Sequence, residues 1–139
     1  MFKIAVIDAQ GGGIGALVVK RLRQEFGDSV EVVALGTNAA ATAAMLKSRA
    51  DKGATGDNAI AFNASRVDVI VGPLGIVLAN SMMGELTPTM AAAISTSQAK
   101  KLLLPLNQEG VEIIGIQANP LPHLVEALVE RIKEIKEVY

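Results

Sequence analysis

The chain has 139 residues, of which half are apolar and only 3% aromatic, and its formal net charge is −1. This length suits one domain with a buried core, and the near-neutral charge and scarce aromatic side chains argue against nucleic-acid binding. The absence of cysteine and the single histidine, His123, exclude disulfides, thiolate metal sites and histidine metal clusters. We therefore expect a single domain over residues 1–139, with an aliphatic core and no metal site built from such ligands.

The most apolar stretch, residues 69–99, carries one charge, that of Glu85. Glycines, prolines and polar residues interrupt this stretch, whereas a membrane-spanning helix needs about 20 consecutive, mostly apolar residues. The first residues also lack the features of a signal peptide, so we expect a cytoplasmic chain without a membrane partner. Residues 76–99 exceed what a small domain can bury, so we expect a homo-oligomer whose contact includes Met82 and Met83.

The predicted elements alternate for most of the chain between aliphatic strands and amphipathic helices. Strands 2–8 and 67–72 are apolar on both faces and should be central, whereas Glu31 favours an edge position for the second strand. In chain order we predict a strand at 2–8, a helix at 14–26, a strand at 30–35, a helix within 37–53, a short helix after residue 57, a strand at 67–72, a helix at 88–99, strands at 101–106 and 111–116, and a final helix opened by Pro120 and Pro122.

Capping and stop residues define the expected helix ends. Gly27 ends the first helix, and Thr37 or Asn38 begins the second, which Gly53 ends. Asp57 caps the short third helix.

The connection between the last two predicted strands decides their direction. Only Asn107 to Gly110 separate them, and a parallel pair needs a crossover of about a dozen residues. We therefore predict an antiparallel hairpin at the edge of a doubly wound, three-layer, Rossmann-like α/β sheet of five mostly parallel strands. The favoured strand order is 2-1-3-4-5, and 3-2-1-4-5 is the alternative.

A glycine-rich stretch follows the first strand and opens the first helix. Gly11, Gly13 and Ala16 match the spacing of the dinucleotide fingerprint, in which small residues allow a tight turn, approach of a pyrophosphate and close helix packing. The N–H groups of Gly11, Gly12, Gly13 and Ile14 would then face a phosphate, helped by the helix dipole. The alternative is a turn without a ligand.

A second loop, with Gly72, Pro73 and Gly75, ends the third predicted strand. If the strands of residues 2–8 and 67–72 are neighbours, this loop faces the first across the switch point, where ligands of such sheets bind. We therefore expect these three residues to line the same nucleotide site.

The acid that binds the ribose hydroxyls in this fingerprint is missing at the end of the second strand. Thr37 and Asn38 stand there instead, and their side chains can hydrogen-bond a 2′-phosphate. This favours NADP or another nucleotide over NAD. Asp8, at the end of the first strand, either accepts N–H groups of its own loop or binds Mg²⁺ beside the phosphates.

Four stretches, IDAQGGGIGA, TGDNAI, VDVIVGPLGIVLANSMMGELTP and LLLPLN with GVEIIG, resemble a family of short bacterial proteins known as a domain of unknown function. The resemblance covers nearly the whole chain. It implies a Rossmann-like fold through the glycine loop, but no activity, substrate or catalytic residue.

Two functions remain open. The first is binding of a nucleotide or dinucleotide, in a sensor or a small NAD(P)-linked reductase. The second is a non-catalytic, homo-oligomeric assembly protein whose glycines serve packing. The sequence identifies no catalytic residue and does not decide whether the chain is an enzyme.

Overall fold

The computed structural model describes residues 1–106, 108 and 110–139, which form a parallel five-stranded sheet between two layers of helices. Among these residues, no helix has both the length and the apolar content needed to cross a membrane. The strands are β1 (Phe2–Asp8), β2 (Val30–Gly36), β3 (Lys52–Thr55), β4 (Val69–Pro73) and β5 (Lys100–Leu104). The helices are α1 (Gly13–Phe26), α2 (Ala39–Lys47), α3 (Asp57–Ala64), α4 (Pro88–Thr96) and α5 (Leu121–Glu137), with 3-10 turns at Gly27–Ser29 and Leu74–Val77.

The strand order is β3-β2-β1-β4-β5, and every pair is parallel. The chain runs outward from β1 through β2 to β3, and then crosses to the other side of β1 to form β4. The switch point therefore lies between β1 and β4, at the edge where the carboxyl ends of all strands meet. This topology brings the loops after β1, β2 and β4 together at one edge.

Alternation along the strands gives the sheet two apolar faces. In β1, Ile4 and Val6 pack with side chains of α1 and α5, whereas Ala5 and Ile7 pack with side chains of α3 and α4. All four β1 side chains are fully buried, which confirms the prediction that this strand is central.

Two of the four predicted capping and stop sites, Gly27 and Asn38, are confirmed. α1 ends before Gly27, which has a φ of 55°, and the Asn38 side chain begins α2 by accepting the N–H of Ala41. Thr87 begins α4 by accepting the N–H of Met90, with Pro88 at the first helical position. Asp57 does not cap α3: Gly56 precedes the helix, and the Asp57 carboxylate accepts the hydroxyl of Thr87.

The antiparallel edge hairpin is wrong. Residues 111–116 form no strand, and Gln108 and Val111 make an isolated antiparallel bridge. The predicted turn includes Asn107, which with Glu109 lies outside the described residues. The next element after β5 is the helix α5, which packs beside α1.

The fifth strand of the sheet is β3, which is not among the strands predicted from the sequence. Its four residues, KGAT, are largely exposed and have no aliphatic pattern. Gly53 lies within this strand and does not end α2, and β2 lies between β1 and β3, so its predicted edge position is wrong. Glu31 is accommodated there because its carboxylate contacts the ammonium groups of Lys3 and Lys52.

The other four strands keep the favoured relative order, with residues 30–35, 2–8, 67–72 and 101–106 side by side. The alternative, in which residues 67–72 lie beyond the second strand, is wrong because β4 pairs with β1. The observed order β3-β2-β1-β4-β5 has the same digits as this alternative only because β3 is an additional strand, so the numbers denote different residues.

The surface expected to join copies of the chain is largely interior to one subunit. Ile76, Leu86 and Ile94 are fully buried, and Met82 packs against the same core. Met83 is the exception, with 96% of its surface exposed. The argument that one domain cannot bury residues 76–99 is therefore wrong, because α3 and α4 cover the second face of the sheet.

Candidate functional site

The glycine loop, defined here as residues 9–13, joins the end of β1 to the start of α1. Gln10 and Gly12 have φ values of 51° and 72°, and the Gly12 N–H donates to the Ala9 carbonyl at 3.0 Å. Two left-handed residues so close together reverse the chain tightly. The loop thus connects a buried strand directly to a helix start, as the sequence predicts.

Asp8 lies beneath this loop and ties the strand to the helix. Its Oδ1 accepts the N–H of Ala9 at 2.8 Å, and its Oδ2 accepts the N–H of Gly15 at 2.7 Å. The side chain is buried, so it supports the loop from inside and does not occupy the outer surface. Of the two roles considered for Asp8, the structure shows the hydrogen bonds to its own loop.

Burial raises the pKa of Asp8, because removal from water penalises the carboxylate. The N–H groups of Gly15 and Ala9 oppose this shift, whereas repulsion from Glu85 adds to it. Both oxygens of the carboxylate are also engaged by inward-facing peptide N–H groups, which partly neutralise its charge. This reduces the conflict between an acid at this position and a phosphate above it.

The glycines at which a side chain would clash are Gly12 and Gly15, not the fingerprint residues Gly11 and Gly13. A Cβ atom at Gly12 would lie 2.7 Å from the Ala41 Cα in α2, and one at Gly15 would lie 2.9 Å from the Asp8 Cβ. The tight turn and the close helix packing therefore fall at Gly12 and Gly15. The expectation that Ala16 serves as the small packing residue is wrong by one position.

Gly11 and Gly13 leave open space above the loop. A Cβ atom at either residue would meet no atom within 4 Å. Within the described residues, the N–H groups of Gly11, Gly13 and Ile14 donate no hydrogen bond, whereas those of Gly12 and Gly15 are used inside the loop. Three peptide donors at the start of α1 therefore point to no protein acceptor.

A segment that we call the strap, residues 74–87, runs from the end of β4 to the start of α4. The hydroxyl of Ser81 donates to the Gly75 carbonyl, and the Leu86 side chain is fully buried. Asn80, Met82 and Met83 all have positive φ, an uncommon conformation for residues with side chains. The strap is therefore a fixed structure with local backbone strain.

Glu85 of the strap reaches the loops after β1 and β2. Its Oε1 accepts hydrogen bonds from the Gln10 N–H at 2.9 Å, the Thr37 hydroxyl at 2.8 Å and the Asn38 amide at 2.7 Å. The hydrogen bond from the Gln10 N–H lowers the pKa of Glu85, and the hydrogen bonds from Thr37 and Asn38 lower it further, against the opposing effect of partial burial. Glu85 therefore stays ionised beside the glycine loop.

Glu85 is not among the site residues predicted from the sequence. The available signal was its position as the one charge in residues 69–99, because an isolated charge in an apolar stretch needs a polar partner. Its partners are distant in sequence, so no local pattern identifies them. Conversely, Thr37 and Asn38 lie where predicted, at the end of β2, but their donors point to Glu85.

The second glycine-bearing loop is more closed than expected. A Cβ atom at Gly72 would lie 2.6 Å from the Ile7 carbonyl oxygen, and one at Gly75 would lie 2.6 Å from the Gln108 Oε1. Pro73 is the buried last residue of β4. These residues share the carboxyl edge with the glycine loop, but protein atoms already fill the space next to the two glycines.

Within the part of the chain that the structure describes, no group of three or more His, Asp or Glu side chains could hold a metal ion. Both Asp8 oxygens accept peptide N–H groups, so each already has a hydrogen-bond donor. The site is thus built from peptide and side-chain donors around two carboxylates.

A family model described as Domain of unknown function (DUF3842) matches residues 3–137. The chain belongs to this family. The resemblance noted from the sequence motifs is confirmed. No curated protein matches the sequence.

The fold is similar to that of a solved structure, a dodecameric FMN-dependent UbiX-like decarboxylase from Escherichia coli O157:H7. The TM-score is 0.52 and the sequence identity 15%, and the match covers 99% of this chain and 95% of that chain. At this identity the likeness concerns the fold alone.

The roles of neighbouring glycines can be separated by alanine substitutions. We expect Gly12→Ala to lower the free energy of unfolding by at least about 2 kcal/mol, because it combines a left-handed φ with a backbone clash at Ala41. Gly13→Ala should leave stability equal or raised by up to about 1 kcal/mol, because its Cβ meets open space in a helix. Urea denaturation measures both, and equal losses would contradict the geometry.

Proposed function

We propose that the chain binds a nucleotide through its phosphate at the carboxyl edge of the sheet. The observation that carries this proposal is the set of N–H groups of Gly11, Gly13 and Ile14, which have no acceptor among the described residues. These donors lie at the positive end of the α1 dipole, where anions are stabilised. Open space above Gly11 and Gly13 supports close approach of a ligand.

Asp8 would order the loop in this proposal and would not bind Mg²⁺. Its two oxygens accept the N–H groups of Ala9 and Gly15, so a cation would have to displace bonds that fix the start of α1. The titratable groups beside the loop, Asp8 and Glu85, are both held by hydrogen bonds. We therefore favour binding or sensing over a reductase reaction.

The similar decarboxylase depends on FMN, so FMN is one suitable probe for this chain. ADP and NAD are the others, because each offers a phosphate with a different attached group. NADP is the ligand first expected from Thr37 and Asn38. Their bonds to the ionised Glu85 now argue against a 2′-phosphate at that position.

The phosphate proposal is tested by Gly13→Val, which places a branched side chain in the open space above the helix start. We expect the affinity for whichever of FMN, ADP or NAD binds the parent to fall at least about tenfold, or about 1.4 kcal/mol. Ala127→Val, on the exposed side of α5, is the matched control and should bind like the parent. Titration calorimetry on the folded variants makes the comparison.

Two outcomes would count against the proposal. Unchanged affinity in Gly13→Val would place the ligand elsewhere. A parent protein that binds none of these phosphate compounds would favour the assembly function instead.

We also propose that copies of the chain associate, through a different surface from the one first expected. Residues 111–116 expose four large aliphatic side chains, and Ile114 keeps 85% of its surface exposed. The neighbouring cavity, of about 370 Å³, is lined in part by Ile113, Ile116 and Leu124. A contiguous apolar surface of this kind is typical of an interface, and the similar decarboxylase is a dodecamer.

This surface is tested by Ile114→Glu, with Met83→Glu as a control at a highly exposed apolar side chain outside residues 111–116. We expect the parent and Met83→Glu to be oligomeric at micromolar concentration, and Ile114→Glu to have the mass of one chain. Light scattering after gel filtration measures the masses. A monomeric parent, or dissociation by Met83→Glu alone, would contradict the proposal.

A further inference from the structure

Glu85 stands where the nucleotide fingerprint normally requires an acid. That acid usually follows the second strand and binds the ribose hydroxyls, but β2 is followed here by Thr37 and Asn38. The structure brings the Glu85 carboxylate to both of these side chains, at 2.8 Å and 2.7 Å. An acid is therefore present at the end of β2, although it comes from the strap on the other side of the switch point.

The two oxygens of Glu85 are used differently. Oε1 accepts all three hydrogen bonds, from Gln10, Thr37 and Asn38. Oε2 accepts none from the described residues. The carboxylate is thus fixed by one oxygen and has the other available as an acceptor for hydroxyl groups.

The glycine loop and Glu85 are adjacent. The Gln10 N–H that donates to Glu85 belongs to the residue before Gly11, whose own N–H is one of the proposed phosphate donors. The Asn38 amide also donates to the Gln10 carbonyl at 3.0 Å, which holds the ends of β1 and β2 together. A phosphate at the loop would therefore have its sugar within reach of this corner.

We propose that Glu85 binds the ribose hydroxyls of the nucleotide and makes the site specific for a ribose without a 2′-phosphate. This rests on the phosphate site proposed above and adds the class of ligand, an ADP-type nucleotide such as ADP or NAD. A ribose hydroxyl can donate a hydrogen bond to Oε2 of Glu85. A 2′-phosphate would instead bring a second negative charge into contact with the Glu85 carboxylate. Thr37, Asn38 and the Gln10 N–H act as positioning groups.

The opposite role for Glu85 makes a distinct prediction. If its carboxylate merely fills an anion receptor formed by these three donors, then an anionic ligand must displace it. Neutralising or shortening Glu85 would then strengthen binding of every phosphate compound. The hydroxyl-binding role predicts a loss that depends on the sugar.

The test measures the affinities of ADP, 2′-deoxy-ADP, NAD and NADP by calorimetry for the parent, Glu85→Gln and Thr37→Val. In the parent we expect ADP to bind about tenfold or more tightly than 2′-deoxy-ADP, because a hydrogen bond to a charged group is lost, and NAD to bind more tightly than NADP. In Glu85→Gln both ratios should shrink towards one, with NADP affinity raised. The amide oxygen can still accept at the Oε1 position, so this variant should fold.

Thr37→Val controls for position, because it removes one donor to Oε1 and keeps the charge. It should reduce the preference for ADP over 2′-deoxy-ADP partly and retain the preference for NAD over NADP. The comparison of ADP with 2′-deoxy-ADP on the parent protein tests the contact to the ribose hydroxyl without any substitution, so it does not depend on whether a variant folds.

The possible failures are distinguishable. Equal binding of ADP and 2′-deoxy-ADP by the parent, unchanged ratios in Glu85→Gln, or tighter binding of all four compounds by that variant would overturn the role of Glu85 and leave the phosphate site standing. Binding of FMN alone would do the same. Absence of binding by FMN, ADP and NAD alike would overturn both proposals.

Discussion

Peptide N–H groups at the carboxyl edge of the parallel sheet need hydrogen-bond acceptors. Two carboxylates, those of Asp8 and Glu85, supply acceptors there and so determine how the neighbouring elements are held together. Asp8 accepts two of them, from Ala9 and Gly15, and so fixes the start of α1 against the end of β1. Glu85 accepts a third, from Gln10, and so fixes the strap across the same edge. An unpaired buried donor costs about as much as a lost hydrogen bond, so the buried Asp8 carboxylate holds α1 in place. The Gln10 N–H is exposed, and Glu85 fixes the strap through the sum of its three hydrogen bonds.

This arrangement resolves the conflict between an acid and an anion-binding loop. Asp8 lies beneath the loop, with its pKa raised by burial, and uses its oxygens on donors that face inward. The N–H groups of Gly11, Gly13 and Ile14 donate to no acceptor among the described residues. The N–H groups of Ala9 and Gly15 therefore bind the Asp8 carboxylate inside the protein. The other three are proposed to bind a phosphate.

Features that depend on residues close together in the sequence are predicted correctly, whereas those that depend on residues far apart are not. The aliphatic runs of β1 and β4 and the Asn38 cap depend on neighbouring residues and are predicted correctly. β3 was missed because its four residues owe their strand conformation to pairing with β2. The Glu85 contact joins residues about 75 positions apart, and the displacement of the close packing to Gly15 depends on where α1 begins.

The central claim is that the N–H groups of Gly11, Gly13 and Ile14 bind a nucleotide phosphate. Titration of the ¹⁵N-labelled protein with ADP, with inorganic phosphate as the comparison, tests it residue by residue. The account predicts that these three amides show the largest chemical-shift changes, while the Gly15 amide, held by Asp8, changes less. Changes confined to residues 111–119, or none at saturating ADP, would contradict it.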